Sequence, residues 1–134
     1  MMKKQHLIFI ITFFVYIFVN QQFVYAQKAS ISFEKPVFDL ANVEQGTIIE
    51  HTFKFSNTGN ANLVITEVKT TCGCTATKWS KTAVLAGEKS GITVQFNTEG
   101  KIGQQNKIIT VFSNASNKME RLTLKANILK KSVR

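Results

Sequence analysis

From Ser30 onward apolar and polar residues alternate along this chain, and no stretch of that region sustains a helical period. A period of two marks strands with one buried face, because successive side chains leave the pleat on opposite sides. Over 47–56, Ile49, His51, Phe53 and Phe55 share one face, while Glu50, Thr52, Lys54 and Ser56 share the other. The pattern recurs at Ile31 and Phe33, at Leu63 and Ile65, and at Ile92, Val94 and Phe96. It returns at Ile109 and Val111, then at Leu122, Leu124, Ala126 and Ile128. Clusters of turn-forming residues separate these runs. Asn57-Thr58-Gly59-Asn60 reads as a hairpin turn, since Asn and Gly tolerate positive φ. Pro36 lacks a ladder donor and belongs at an edge or bend, with 37–40 resuming the edge strand. About seven short strands so spaced predict an all-β fold, an antiparallel immunoglobulin-like β-sandwich, with a small closed barrel as the alternative.

The first residues stand apart from that sheet. Lys3 and Lys4 precede an apolar run over 7–19, followed by the polar Asn20-Gln21-Gln22 and then Val24-Tyr25-Ala26. A positive start, an apolar middle and a V-x-A site describe a secretory signal peptide over 1–26, cleaved after Ala26. The competing reading is an uncleaved anchor, but a helix over 7–19 reaches only about 20 Å of the ~30 Å hydrocarbon layer. Residues 27–134 then form one domain with one modest core, exported to the periplasm or beyond the cell and with no membrane span. Losing Lys3 and Lys4 takes the net charge from +9 to +7, because every acid lies after the leader. The mature lysines are scattered, apart from Lys130-Lys131, and no aromatic residues are interleaved with them in a patch. This distribution suits solvated strand faces and argues against a nucleic-acid groove.

Several segments, taken in order, resemble one bacterial family. They are Phe53-Lys54-Phe55-Ser56-Asn57-Thr58-Gly59, Leu63-Val64-Ile65, Thr71-Cys72-Gly73-Cys74-Thr75, Ala86-Gly87-Glu88, 92–98, Gly100-Lys101-Ile102-Gly103 and Val111-Phe112-Ser113-Asn114. Together, over about 33–128, they are similar to the family called domain of unknown function 1573. The resemblance implies an exported immunoglobulin-like sandwich, akin to cilia-associated and major-sperm-protein-like modules, with no established activity. At Ala86 the chain departs from the family, which often has proline before the Gly-Glu turn.

Both cysteines lie in the Thr70–Thr75 stretch, as Cys72-Gly73-Cys74. Cysteine in an exported chain points to a disulfide. In a regular strand, residues two apart have Cα atoms roughly 6.6 Å from each other, too far for that bond, so a local disulfide requires a bend at Gly73. Three readings stay open: structural thiols or a strained local disulfide, a soft low-coordinate ion such as Cu(I) held by Cys72 and Cys74, and redox exchange. Zinc needs more ligands than these cysteines and His51 supply, and His51 reads as a packed residue among phenylalanines. C-x-C without a helix is not the C-x-x-C site of thioredoxin-type enzymes, although Lys69 and Lys78 flank it.

Trp79 reads either as a contact for a partner or as an aromatic packed over the sheet edge. Asn114-Ala115-Ser116 fits a glycosylation acceptor pattern and reads as a loop. The acids are dispersed, and neither a phosphate loop nor a hydrolytic triad is legible. The expected function is therefore a non-enzymatic binding or structural module of the cell envelope, without cofactor, acting on an envelope protein or surface. The alternative is a metal- or thiol-handling protein working through Cys72 and Cys74.

Overall fold

The computed structural model describes residues 2–19 and 25–132. The Asn20-Gln21-Gln22 break, Val24 of the V-x-A site and the last two residues of the basic tail lie outside them. Helix α1 (Met2–Val19) covers the apolar leader. No helix among the described residues is long and apolar enough to cross a membrane.

Eight strands follow: β1 (Ile31–Phe33), β2 (Val37–Glu44), β3 (Ile48–Asn57), β4 (Ile65–Thr70), β5 (Thr75–Trp79), β6 (Lys89–Asn97), β7 (Gly103–Ser113) and β8 (Met119–Leu129). They form two four-stranded sheets, ordered β1-β3-β6-β5 and β2-β8-β7-β4. This is the expected β-sandwich, with one more strand than the alternation of apolar residues suggests. The added strand is β5, whose Thr-Ala-Thr-Lys-Trp composition hides it: threonine rather than an aliphatic residue marks its inward face.

The inward sets are those read from the period of two. Phe53, Phe55, Val94, Phe96, Ile109, Val111, Leu122, Leu124 and Ile128 are almost wholly removed from water, as is Leu63. Burying a side chain of this size stabilises the fold by about 1.5–3 kcal/mol. Among the described residues, the buried core residues lie between Ala29 and Ile128.

Not every pair is antiparallel. β2 runs parallel to β8. The chain keeps its heading through the Pro36 bend while it leaves the first sheet, and so arrives beside a strand that already runs that way. A register shift between Asp39 and Asn42 accompanies this pairing. Ala41 there takes φ 50°, and its N–H donates to the Asp39 carboxylate at 3.1 Å.

The Asn57-Thr58-Gly59-Asn60 turn is not a hairpin. β3 belongs to the first sheet and β4 to the second, so the chain crosses between sheets here. Asn57 is fully buried and ends β3. Its Oδ1 accepts from the N–H groups of Ser30 and Gly59, and its Nδ2 donates to the carbonyls of Ala61 and Val84. Gly59 is absent from the residues with positive φ. A Cβ there would lie 2.2 Å from the Lys28 carbonyl oxygen, so glycine serves close approach of the N-terminal segment. Leu63 precedes β4 and meets Val84 in an isolated bridge.

Candidate functional site

The Cys72-Gly73-Cys74 loop joins the edge strand of one sheet to the edge strand of the other. β4 ends with Thr70 opposite Ile109, and β5 begins with Thr75 opposite Phe96. Backbone bonds hold the reversal: Thr71 N–H to the Ile108 carbonyl (3.3 Å), Thr75 N–H to that of Cys72 (3.3 Å) and Asn97 N–H to that of Cys74 (3.0 Å). The Thr70 hydroxyl lies 3.1 Å from the Cys72 carbonyl oxygen and 3.3 Å from that of Thr75, so its proton serves both.

Cys72 and Cys74 are joined by a disulfide, with Cα atoms 5.3 Å apart. The Thr75 hydroxyl sits 3.6 Å from one sulfur and 4.0 Å from the other. Both cysteines are half-buried, and Cys74 packs against the core. Gly73 is exposed, without positive φ, and a Cβ there would meet nothing within 4 Å. The bend thus belongs to the whole loop, and nothing in the structure explains glycine at this position. As a disulfide, the pair is an acceptor for an attacking thiolate. Once reduced, it presents two soft donors.

Hydrogen-bond phase decides what the β5 edge can do. Asn97 donating to Cys74 marks 74 and 97 as a bonded pair, and the pairs alternate from there. Ala76 and Lys78 therefore turn their backbone groups towards β6, while Thr75, Thr77 and Trp79 turn theirs away. The loop occupies both groups of Thr75, through the Cys72 carbonyl and the Thr70 hydroxyl. Among the described residues, none hydrogen-bonds the outward backbone groups of Thr77 and Trp79.

Trp79 packs half-buried against the core, with the Lys81 ammonium 3.8 Å from its ring centroid. Its Nε1 is buried without a hydrogen-bond partner. Beside it, an open groove of about 580 Å³ runs over the outer face of the sheet, lined by Ala76, Lys78, Trp79, Ser80, Gly91 and Thr93 among others. Glu50 and Gln95, hydrogen-bonded to each other, border the same groove.

The remaining candidates lie elsewhere. His51 stacks on Phe38 at 3.7 Å between ring centroids and meets Phe53 edge-on, bridging the sheets. Burial holds its imidazole below the ordinary histidine range. Lys107 lies with its ammonium 4.8 Å from the Phe96 ring centroid. Its pKa is lowered, first by burial and then by the charge of Lys101. Lys69 pairs with Glu67 at 3.4 Å. Asn114 receives the Val64 N–H and donates to the Asn62 carbonyl, so its amide serves the loop. Among the described residues, no group of three or more His, Cys, Asp or Glu side chains is placed to hold a metal ion.

Known proteins resemble the chain as follows. The family model described as Protein of unknown function (DUF1573) matches residues 31–128. No curated protein matches the sequence. Among solved structures, the fold is similar to a protein of unknown function from Porphyromonas gingivalis W83, with TM-score 0.67 and 16% identity over 81% of this chain and 50% of that one. It is similar to PapD-like domain 7 of human CEP192, with TM-score 0.64 and 8% identity over 84% of this chain and 97% of that one. It also resembles part of the secreted serine protease VesC from Vibrio cholerae, with TM-score 0.60 and 18% identity over 78% of this chain. The match spans 24% of the protease and half of the Porphyromonas protein. At such identities the likeness establishes the fold alone.

Proposed function

We propose, from the premise that this chain belongs to the family Protein of unknown function (DUF1573), that it is an exported, non-enzymatic module that binds a partner in the cell envelope. In this reading residues 1–26 are removed as a signal peptide, and 27–134 act in the periplasm or outside the cell. The observation that carries it is the open edge of β5, where Thr77 and Trp79 turn unpaired backbone groups away from β6 beside a groove. Native sandwiches cover or blunt such edges unless something pairs with them. The work asked of the fold is presentation of a surface, which needs no cofactor and no catalytic group.

The test is capture from the envelope of the source organism by immobilised 27–134, repeated with excess free domain. A partner displaced by the free domain, and retained by a Cys72→Ser, Cys74→Ser variant, supports the module reading. Absence of any competed partner counts against it.

A second reading has its own support, since one loop brings both sulfurs together at a half-exposed site. After reduction, two thiolates suit Cu(I). Titration of reduced 27–134 with Cu(I) and Zn(II) separates the two. Tight one-to-one copper binding, lost in Cys72→Ser, favours metal handling, and no uptake removes it.

A further inference from the structure

Self-pairing at the β5 edge meets a charge conflict. An antiparallel strand that uses every open group must bond opposite both Thr77 and Trp79, and this places its middle residue opposite Lys78. In a second copy of β5 that residue is Lys78 itself. Centring on Thr77 instead would oppose Trp79 to Thr75, whose outward groups the disulfide loop already occupies. The edge of β4 offers no better match. Thr71 donating to Ile108 sets its phase, leaving Val68 and Thr70 outward with Lys69 between them. Pairing those two residues with the open pair of β5 sets Lys69 against Lys78. The register that would bring Glu67 to Lys78 needs Thr66 to bond, where the β4 register shifts between Ile65 and Glu67. Like charges directly opposite one another destabilise a strand pair, whereas opposite charges stabilise it.

We infer that the β5 edge takes an extended segment of another protein, added antiparallel, with Asp or Glu opposite Lys78 and uncharged residues on either side. The inference rests on the module reading and names the chemistry of its partner. The flanking residues would face inward beside Thr77 and Trp79, while the acid would lie over the outer face with Lys78. The disulfide loop fixes where the added strand must stop, because it closes Thr75. Lys78 thereby disfavours pairing of β5 with β5 or β4 of a second copy and selects its partner by the same charge.

The probe is the peptide Thr-Thr-Val-Glu-Val-Thr-Thr, titrated into isotope-labelled 27–134 and read from backbone amide signals. The expected shifts centre on Thr77 and Trp79. Replacing the central Glu of the peptide by Lys weakens binding roughly five- to tenfold, and Lys78→Glu in the protein reverses that preference. Equal binding of both peptides, an unperturbed Thr77–Trp79 segment, or self-association of 27–134 in ultracentrifugation would each overturn the inference. Photo-crosslinkers at Ala76 (on β5), Ile48 (at the disulfide end) and Asn106 (on the other sheet), tested in the native envelope, separate it from its premise. Adducts at Ala76 support both. Adducts confined to Ile48 or Asn106 sink the edge inference and keep the module, and no adduct at any position counts against both.

Discussion

The two ends of this sandwich are closed by different chemistry. At one, asparagine side chains replace missing strand partners. Asn57 bonds four backbone groups while fully buried, and Asn117 both accepts from the Ile31 N–H and donates to its carbonyl. Asn60 takes the Lys28 N–H, and Asn114 ties Val64 and Asn62. At the other end the ties are the Cys72–Cys74 disulfide, the threonine hydroxyls of Thr70 and Thr98, and Gln45 bonded to the Lys101 carbonyl. Large aliphatic side chains there remain in water, Ile48 at 62% exposure and Ile102 at 59%. The difference leads to the expectation that the amide-stitched end contributes more to stability than the sulfur end. The sulfur end adjoins the unpaired outer edge of β5.

The largest test of this contrast is Asn57→Ala. It strands the part-buried N–H groups of Ser30 and Gly59 and the Ala61 carbonyl, while the Val84 carbonyl keeps the Leu63 N–H, and should cost about 3 kcal/mol in urea unfolding. An effect below that of losing the disulfide would reverse the assignment of the two ends. Gly59→Ala comes next, since its Cβ must displace backbone of residues 28–30. A loss of about 2–3 kcal/mol is expected from such overpacking. Replacing both cysteines by serine should lower stability by only about 1–2 kcal/mol, because so short a loop restricts the unfolded chain little.

His51, packed between the two ends, has a smaller and pH-dependent effect. Its folded pKa lies below the unfolded value, so the unfolded chain binds the proton more readily. Stability should therefore fall as pH drops from the ordinary histidine value near 6.5 towards the lower folded pKa, then level off with respect to this group. Urea midpoints between pH 7.5 and 5 should show that loss, and His51→Gln should remove it. Gly73→Ala is the smallest, within about 0.5 kcal/mol, since neither φ nor space requires glycine there.

Much of the sandwich is legible in the sequence. The alternation at Phe53, Val94, Val111 and Leu124 names the inner faces correctly, because burial of one pleat face acts residue by residue. The Asn57-Thr58-Gly59-Asn60 stretch misleads for the opposite reason. Its local chemistry is that of a turn, whereas the partners that decide its role, Ser30 and Val84, lie 27 residues away on either side. The parallel pairing of β2 with β8 is hidden likewise, since it depends on the heading the chain keeps through Pro36. At the candidate site, Cys72 and Cys74 announce themselves by residue type. The open edge does not. Thr77 and Trp79 matter through backbone groups, and their phase follows from the Asn97–Cys74 bond, which no local pattern reveals.

Amide hydrogen exchange of 27–134, resolved residue by residue, tests the central claim most directly. The account predicts slow exchange at Ala76 and Lys78, which bond β6, and at Asn57, whose N–H donates to the Glu88 carbonyl. It predicts fast exchange at Thr77 and Trp79, between those protected positions and just beyond them. Thr77 and Trp79 as slow as their neighbours, or Asn57 exchanging as fast as they do, would contradict it.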